Sequence, residues 1–130
     1  MATTNEPTQT IEIDHVRRLV IVTASGFFTP EATHKATMET RRAIKSLGRD
    51  VGKHVTLYDM REVSAVPAET VDLMRMGFAN PVYKPIWARK VAFVARSVLL
   101  QRQIDRIRES RPDIRIFTER DEALDWLLEH

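Results

Sequence analysis

The stretch Tyr58-Asp59-Met60-Arg61-Glu62 closes an apolar run with a carboxylate and sets a guanidinium two positions on. Ligands of open α/β sheets gather beyond the carboxyl ends of strands, so Asp59 and Arg61 are candidates for binding a polar group there. The plainer use of the same pair is structural: an aspartate in a turn accepts backbone N–H groups and closes on a nearby arginine. Arg96 and Ser97 follow a second apolar run. With the N-terminus of a helix starting near Ser97, Arg61 and Arg96 make a candidate site for a carboxylate or phosphate.

Other reactive chemistry is absent. His15, His34, His54 and His130 are scattered, without the spacing that holds a metal. The four glycines stand singly, so there is no nucleophile elbow, phosphate loop or dinucleotide fingerprint. The chain has no cysteine, which excludes disulfides, thiol catalysis and iron–sulfur clusters and fits a reducing cytoplasm. Nothing assembles a nucleophile, base and oxyanion donor. No catalytic residue, metal or cofactor is therefore assigned, and an enzyme using Asp59 and Arg61 is the third of three readings.

The second constellation is apolar. A helix expected over residues 67–80 places Val71, Leu73, Met74, Gly77 and Phe78 across an arc of roughly 160°, with Met76 outside even that. A helix lying on one sheet face needs a narrower stripe. The chain continues Pro-Val-Tyr-Lys-Pro-Ile-Trp over residues 81–87, adding Tyr83 and Trp87 between and beyond two prolines. Such a segment either covers a sheet edge, lines an apolar pocket, or docks a partner, the last two being uses that favour methionine and aromatics. Gly77 costs about 1 kcal/mol relative to alanine inside a helix, which points to a close backbone approach.

The elements that position these residues follow from periodicity. Ile11 to Asp14 and Arg18 to Gly26 read as an opening hairpin, the second run nearly continuous in apolar residues, as a strand covered on both faces is. Thr29-Pro30-Glu31 is a helix start, with a hydroxyl cap and a proline at the first position. That helix runs to about Leu47, with Ala36, Thr40, Ala43 and Ile44 inward, and Gly48 placed to stop it. His54 to Asp59 and Lys90 to Ala95 read as buried parallel strands. A helix from about Ser97 to Arg111, a short strand at Asp113 to Phe117 and a last helix follow. Thr118 is expected to cap that last helix, with Asp121 in the capping-box position, and Trp126 to cover the margin of its apolar face.

The order β-β-α-β-α-β-α-β-α implies a single α/β domain over residues 11–130, with a mostly parallel five-stranded sheet, an antiparallel first strand and right-handed crossovers. Residues 1–10 are polar, lack the features of a secretion signal, and read as a flexible tail. No apolar run approaches the roughly 20 residues of a membrane helix. The net charge is +2, but residues 84–120 hold ten Lys or Arg against the four acids Asp105, Glu109, Asp113 and Glu119. Interleaved acids and the lack of an aromatic platform argue for a solvated helix face and against nucleic-acid binding.

Three phrases, LYDMREV, KVAFVA and the closing IRIFTERDEALDWL, resemble the STAS-like superfamily, the domain type of anti-sigma-factor antagonists. They resemble in particular its small stand-alone bacterial branch, itself likened to the lipid-binding CRAL-TRIO domains. The resemblance covers nearly the whole chain from Ile11. It implies protein partners and, through the second likeness, a lipid-like ligand. In the antagonists an aspartate ends the third strand, where Asp59 stands, and an Asp-Ser pair opens the second helix, its serine being the phosphorylation switch. Pro67 and Ala68 stand at that pair here. A switch of that type is not expected.

The leading reading is therefore a non-enzymatic, cytoplasmic STAS-like module that binds a protein partner, or a second copy of itself as a homodimer. Helix 67–80 and loop 81–87 would be the binding segment. The alternative is a carrier or sensor of a small apolar, lipid-like ligand held beneath the same helix. A docking patch requires Met76 and Trp87 to be exposed; a ligand site requires an enclosed cavity lined by Met74, Phe78 and Trp87.

Overall fold

A computed structural model of the chain describes residues 5–129. It contains β1 (Thr8–Asp14), β2 (Leu19–Ser25), α1 (Pro30–Lys45), β3 (Val55–Glu62), α2 (Ala68–Ala79), β4 (Lys90–Val94), α3 (Val98–Ile107), β5 (Arg115–Phe117) and α4 (Arg120–Leu128). A 3₁₀ segment, Pro81–Ile86, joins α2 to β4. The sheet order is β1-β2-β3-β4-β5, with β1 antiparallel to β2 and every other pair parallel. The expected single-domain α/β architecture is thus the one observed. Of the expected tail, residues 1–4 lie outside the described residues and Thr8 to Thr10 belong to β1. Gly26 explains the early start: its φ is +93°, and any Cβ there would collide with the carbonyl oxygen of Glu6, so only glycine admits the chain so close.

The strand order has a geometric consequence. Three right-handed crossovers that all step the same way across the sheet place their helices on one face. Accordingly α1, α2 and α3 pack side by side, while α4, which feeds no further strand, covers the other face of β3, β4 and β5. Side-chain alternation divides the core in the same way. Leu19, Val55, Leu57, Ala92 and Val94 meet Ala123 and Leu127 of α4, and Trp126 packs at that cluster's margin as expected. Ala24, Met60, Val91, Phe93 and Ala95 meet Val71, Leu100 and Ile104 on the three-helix side. Both faces being covered, β2 and the first part of β3 are largely apolar and Val91–Val94 of β4 is so without a break.

Local chemistry ends the elements largely where expected. Thr29 Oγ1 accepts from Ala32 N at 3.2 Å, with Pro30 at the first helical position. Gly48, just past α1, has a φ of +61°. The capping box expected at α4 is not formed: the N-cap position is Glu119, with no side-chain cap bond, so Thr118 lies one residue too early to reach the first turn. The loop after β3 is held by Gln103 of α3, whose amide donates to Val66 O at 2.7 Å and accepts from Val66 N at 3.0 Å. Thr70 Oγ1 donates to Phe28 O at 2.9 Å and fixes the start of α2 over the end of β2.

Candidate functional site

Between the sheet and the three-helix layer lies a cavity of about 140 Å³. Its floor is the side of the sheet that presents Val22 and Ala24 of β2, Thr56, Tyr58 and Met60 of β3, and Val91 of β4. Its walls are Thr33, Ala36 and Thr40 of α1 and Met74, Gly77 and Phe78 of α2. Tyr83, Ile86 and Trp87 close one end. An aromatic trio stiffens the floor: the Tyr58 and Phe93 rings stack with centroids 4.8 Å apart, and Phe78 meets both edge-on at 6.3 Å. The broad apolar arc of α2 has its reason here. Part of that arc packs on the core and part faces open space.

The lining is apolar but not uniformly so. Arg41 of α1 lays its guanidinium 3.5 Å from the centroid of the Tyr83 ring. A Cβ on Gly77 would stand 3.3 Å from Arg41 Nη2, so the glycine leaves the slot in which that guanidinium lies. This is the close approach that a glycine inside α2 called for, and the approaching group is a side chain. Among the described residues Arg41 makes no ion pair with a carboxylate. Arg111 is buried, donates to Ala88 O at 2.6 Å and pairs with Asp113 at 3.1 Å. Its guanidinium lies 5.3 Å from the Trp87 ring.

Three polar atoms of the lining residues are buried without a hydrogen-bond partner among the described residues: Thr33 Oγ1, Thr56 Oγ1 and Trp87 Nε1. Thr56 is 0% exposed and Thr33 6%. Folded proteins pair nearly all such groups, and leaving one unpaired costs about 1–3 kcal/mol. Tyr58 completes the polar set. Burial pushes its phenol up to about 12 even though the charges of Arg111 and Arg41 pull it down, so it stays a neutral donor.

The strand-end constellation is arranged differently. Asp59 is 3% exposed and points to the α4 side. Its carboxylate accepts from Arg61 Nε at 2.9 Å, Arg61 Nη2 at 2.8 Å and Arg61 N at 3.3 Å, with Arg120 Nε at 3.6 Å. Burial alone would raise its pKa; the Arg61 hydrogen bonds and the two arginine charges outweigh burial and hold it below the ordinary value. Arg96 is exposed and pairs with Glu119 at 3.5 Å, and Ser97 Oγ caps α3 while donating to Ser64 O. Each guanidinium of the expected anion site already has a carboxylate. Nor does the strand order reverse among the described strands, which is where ligands of open α/β sheets collect.

Of the residues singled out from the sequence, Met74, Gly77, Phe78, Tyr83 and Trp87 come together around the cavity, whereas Asp59, Arg61, Arg96 and Ser97 lie away from it. Met76 stands apart from both groups at 67% exposed. Trp87 is half-buried in the cavity wall, so of the two residues a docking patch requires to be exposed, Met76 is exposed and Trp87 only partly so. The residues missed were Arg41, Arg111, Thr33 and Thr56. Arg41 sits beside the inward stripe of α1, and only the tertiary fold turns it inward. His54 is a core residue: burial first, and the charge of Arg111 second, lower its pKa, and its Nδ1 accepts from Gly52 N at 3.1 Å. His130 lies outside the described residues. No group of three metal-ligating side chains occurs among the described residues, nor any helix long and apolar enough to cross a membrane.

The sequence matches no protein-family model and no curated protein. Solved structures do match. An anti-sigma factor antagonist from Mycobacterium paratuberculosis superposes with a TM-score of 0.61 at 14% identity, covering 99% of this chain and 100% of that one. An uncharacterized DUF3478-family protein with a SpoIIAA-like fold, from Shewanella loihica PV-4, gives 0.65 at 20% identity, covering 93% of each chain. At these identities the likeness is one of architecture, and the architecture is the SpoIIAA-like, STAS-like α/β fold.

Proposed function

We propose that the protein is a non-enzymatic STAS-like binding module whose ligand is a small apolar or amphipathic molecule held in the cavity beneath α2 and Pro81–Ile86. The observation that carries this reading is the half-open, largely apolar space of about 140 Å³ that Met74, Phe78 and Trp87 all line. A cavity of about 150 Å³ lined by aliphatic and aromatic side chains accommodates benzene, so the space suits a ring or a short acyl chain. The likeness of this branch to lipid-binding CRAL-TRIO domains supports the same class of ligand.

Native mass spectrometry of the freshly purified protein should reveal a reproducible small-molecule adduct on the protomer. Saturating benzene should raise the thermal midpoint of ligand-free protein, as binding to the folded state alone must. A protein without adduct whose midpoint ignores benzene would remove this reading.

A second reading is supported by the outer side of the same segment, where Met76 and Val82 are each 67% exposed. The matched anti-sigma factor antagonist is, by its name, a protein that acts on another protein. An outward α2 face that docks a partner or a second copy is compatible with a ligand beneath it.

A further inference from the structure

We infer that the ligand is a small carboxylate-bearing amphiphile, its anionic head placed at Arg41 and the end of the cavity closed by Tyr83 and Trp87, its apolar body over Phe78 and Met74. This inference rests on the cavity being a ligand site and adds the chemistry of what enters it. The lining residues include two guanidiniums, and among the described residues no Asp, Glu, Lys or His. A charged group at the edge of an apolar space is normally paired, because desolvating a charge without a partner is costly. Arg111 follows that rule through Asp113. Among the described residues Arg41 does not, although an exposed surface lies within reach of any arginine side chain on α1.

What holds Arg41 in place is specific. The ring of Tyr83 lies under it at 3.5 Å, and the missing side chain of Gly77 makes the room. Stacking fixes the guanidinium plane while leaving its N–H fork unused, the geometry that receives a carboxylate through two parallel hydrogen bonds. Trp87 Nε1, Thr56 Oγ1 and Thr33 Oγ1, each buried, have no hydrogen-bond partner among the described residues. All of these can donate to an oxygen, and the indole N–H and guanidiniums can do nothing else. An apolar body is required by the remainder of the lining, and by comparison with the cavity that holds benzene its buried part is limited to roughly six carbons or one ring, the rest of a longer chain reaching the open side.

The polar atoms and the apolar floor make opposite demands that one molecule meets. A neutral hydrocarbon would leave Arg41, Trp87 Nε1 and the two threonine hydroxyls unpaired. A fully polar anion would waste the contact with Phe78, Met74 and Ala36.

The test compares octanoate with octan-1-ol, which share a chain and differ at the head, on ligand-stripped protein and on Arg41→Met, by calorimetric titration and amide chemical shifts. Octanoate should bind the native protein at least about ten-fold more tightly than octanol, and Arg41→Met should remove most of that preference, a ten-fold change being about 1.4 kcal/mol. Tyr83→Leu, which removes the platform under Arg41 without touching the charge, should reduce the preference several-fold, and it provides the readout if Arg41→Met folds poorly. Equal binding of octanoate and octanol to the native protein would overturn the carboxylate assignment and leave the cavity reading intact. A preference that survives both substitutions would overturn the role of Arg41. Binding of neither probe, with no shifts at Met74 or Phe78, would overturn the assignment together with the cavity reading beneath it.

Discussion

Adjacent residues of β3 meet opposite fates. On the α4 side, Asp59 is buried with its carboxylate closed by Arg61 and approached by Arg120. On the α1–α3 side, Tyr58 lines open space, and Thr56, two residues earlier, has a hydroxyl that bonds to nothing among the described residues. Both are polar groups inside a 130-residue protein. The difference lies in whether the protein completes their hydrogen bonds itself. Where it does, the charge serves the fold; where it does not, the unpaired group carries a desolvation cost. Charged residues at a strand end were therefore the more conspicuous feature, and they are the ones whose partners the protein itself supplies.

The comparison is sharpened most strongly at Asp59. Asp59→Ala leaves Arg61 and Arg120 without their buried acceptor and should cost about 2–3 kcal/mol of stability, below the full effect of breaking a buried pair because Arg61 keeps some access to water. Octanoate affinity should stay within two-fold, measured on the folded fraction. A ten-fold loss of affinity with stability retained would mean that the strand end is the binding site after all. The pH dependence has a definite sign. The folded-state pKa of Asp59 lies below its unfolded value, so its stabilisation is complete above about pH 4 and is lost as pH falls through the folded pKa. Asp59→Asn should flatten that part of the acid unfolding curve.

Ala36→Leu acts on the other region. Ala36 faces the cavity from α1, and a leucine there fills space while remaining a good helix former. The ligand-free protein should gain about 1 kcal/mol, and both the benzene-induced rise in thermal midpoint and octanoate binding should fall by more than ten-fold. Destabilisation together with retained binding would mean that the open space lies elsewhere.

These two regions also mark what a sequence discloses. Strand and helix positions are local properties: alternation at Ile11 and Ile13, the cap at Thr29 and the unbroken run Val91–Val94 carry their own periodicity or capping chemistry. The sheet order is not local. The expected crevice at Asp59 presupposed a reversal of strand order that the element sequence cannot specify. The candidate site was half legible. The apolar excess of α2 and the loop after it was visible because too many faces of one helix were greasy, which brought out Met74, Gly77, Phe78, Tyr83 and Trp87. Arg41 and Arg111 were hidden, since an arginine at the margin of a helix stripe looks like any solvated arginine until Tyr83 and Trp87 are folded against it. Thr56 was hidden for a related reason. Inside a β-branched run a threonine is only a good strand former.

Thr56→Val turns that observation into a measurement. The two side chains have nearly the same shape, so the exchange removes a hydroxyl with little change in packing. With no partner for Oγ1, the ligand-free protein should become more stable by about 0.5–1 kcal/mol, because an apolar isostere no longer carries the desolvation cost. The opposite sign would be expected of a threonine with a native hydrogen bond. A loss of 1 kcal/mol or more in denaturant unfolding would show that the hydroxyl is satisfied, and the contrast between the two sides of β3 would then weaken.

The smallest effect is expected outside both regions, at Met76. Its side chain is 67% exposed on α2, and neither the cavity nor the ion-pair cluster includes it. Met76→Asp should change stability by no more than about 0.5 kcal/mol and leave octanoate affinity unaltered. Its value lies in the mass of the particle. Light scattering on the native protein and on Met76→Asp should give the same mass if the inner side of α2 is the functional one. A native dimer converted to a monomer would make the outer side an interface between copies. Because Met74 and Phe78 face inward from the same helix that presents Met76 outward, a ligand beneath α2 would then sit directly behind that interface and could bias it by shifting the helix.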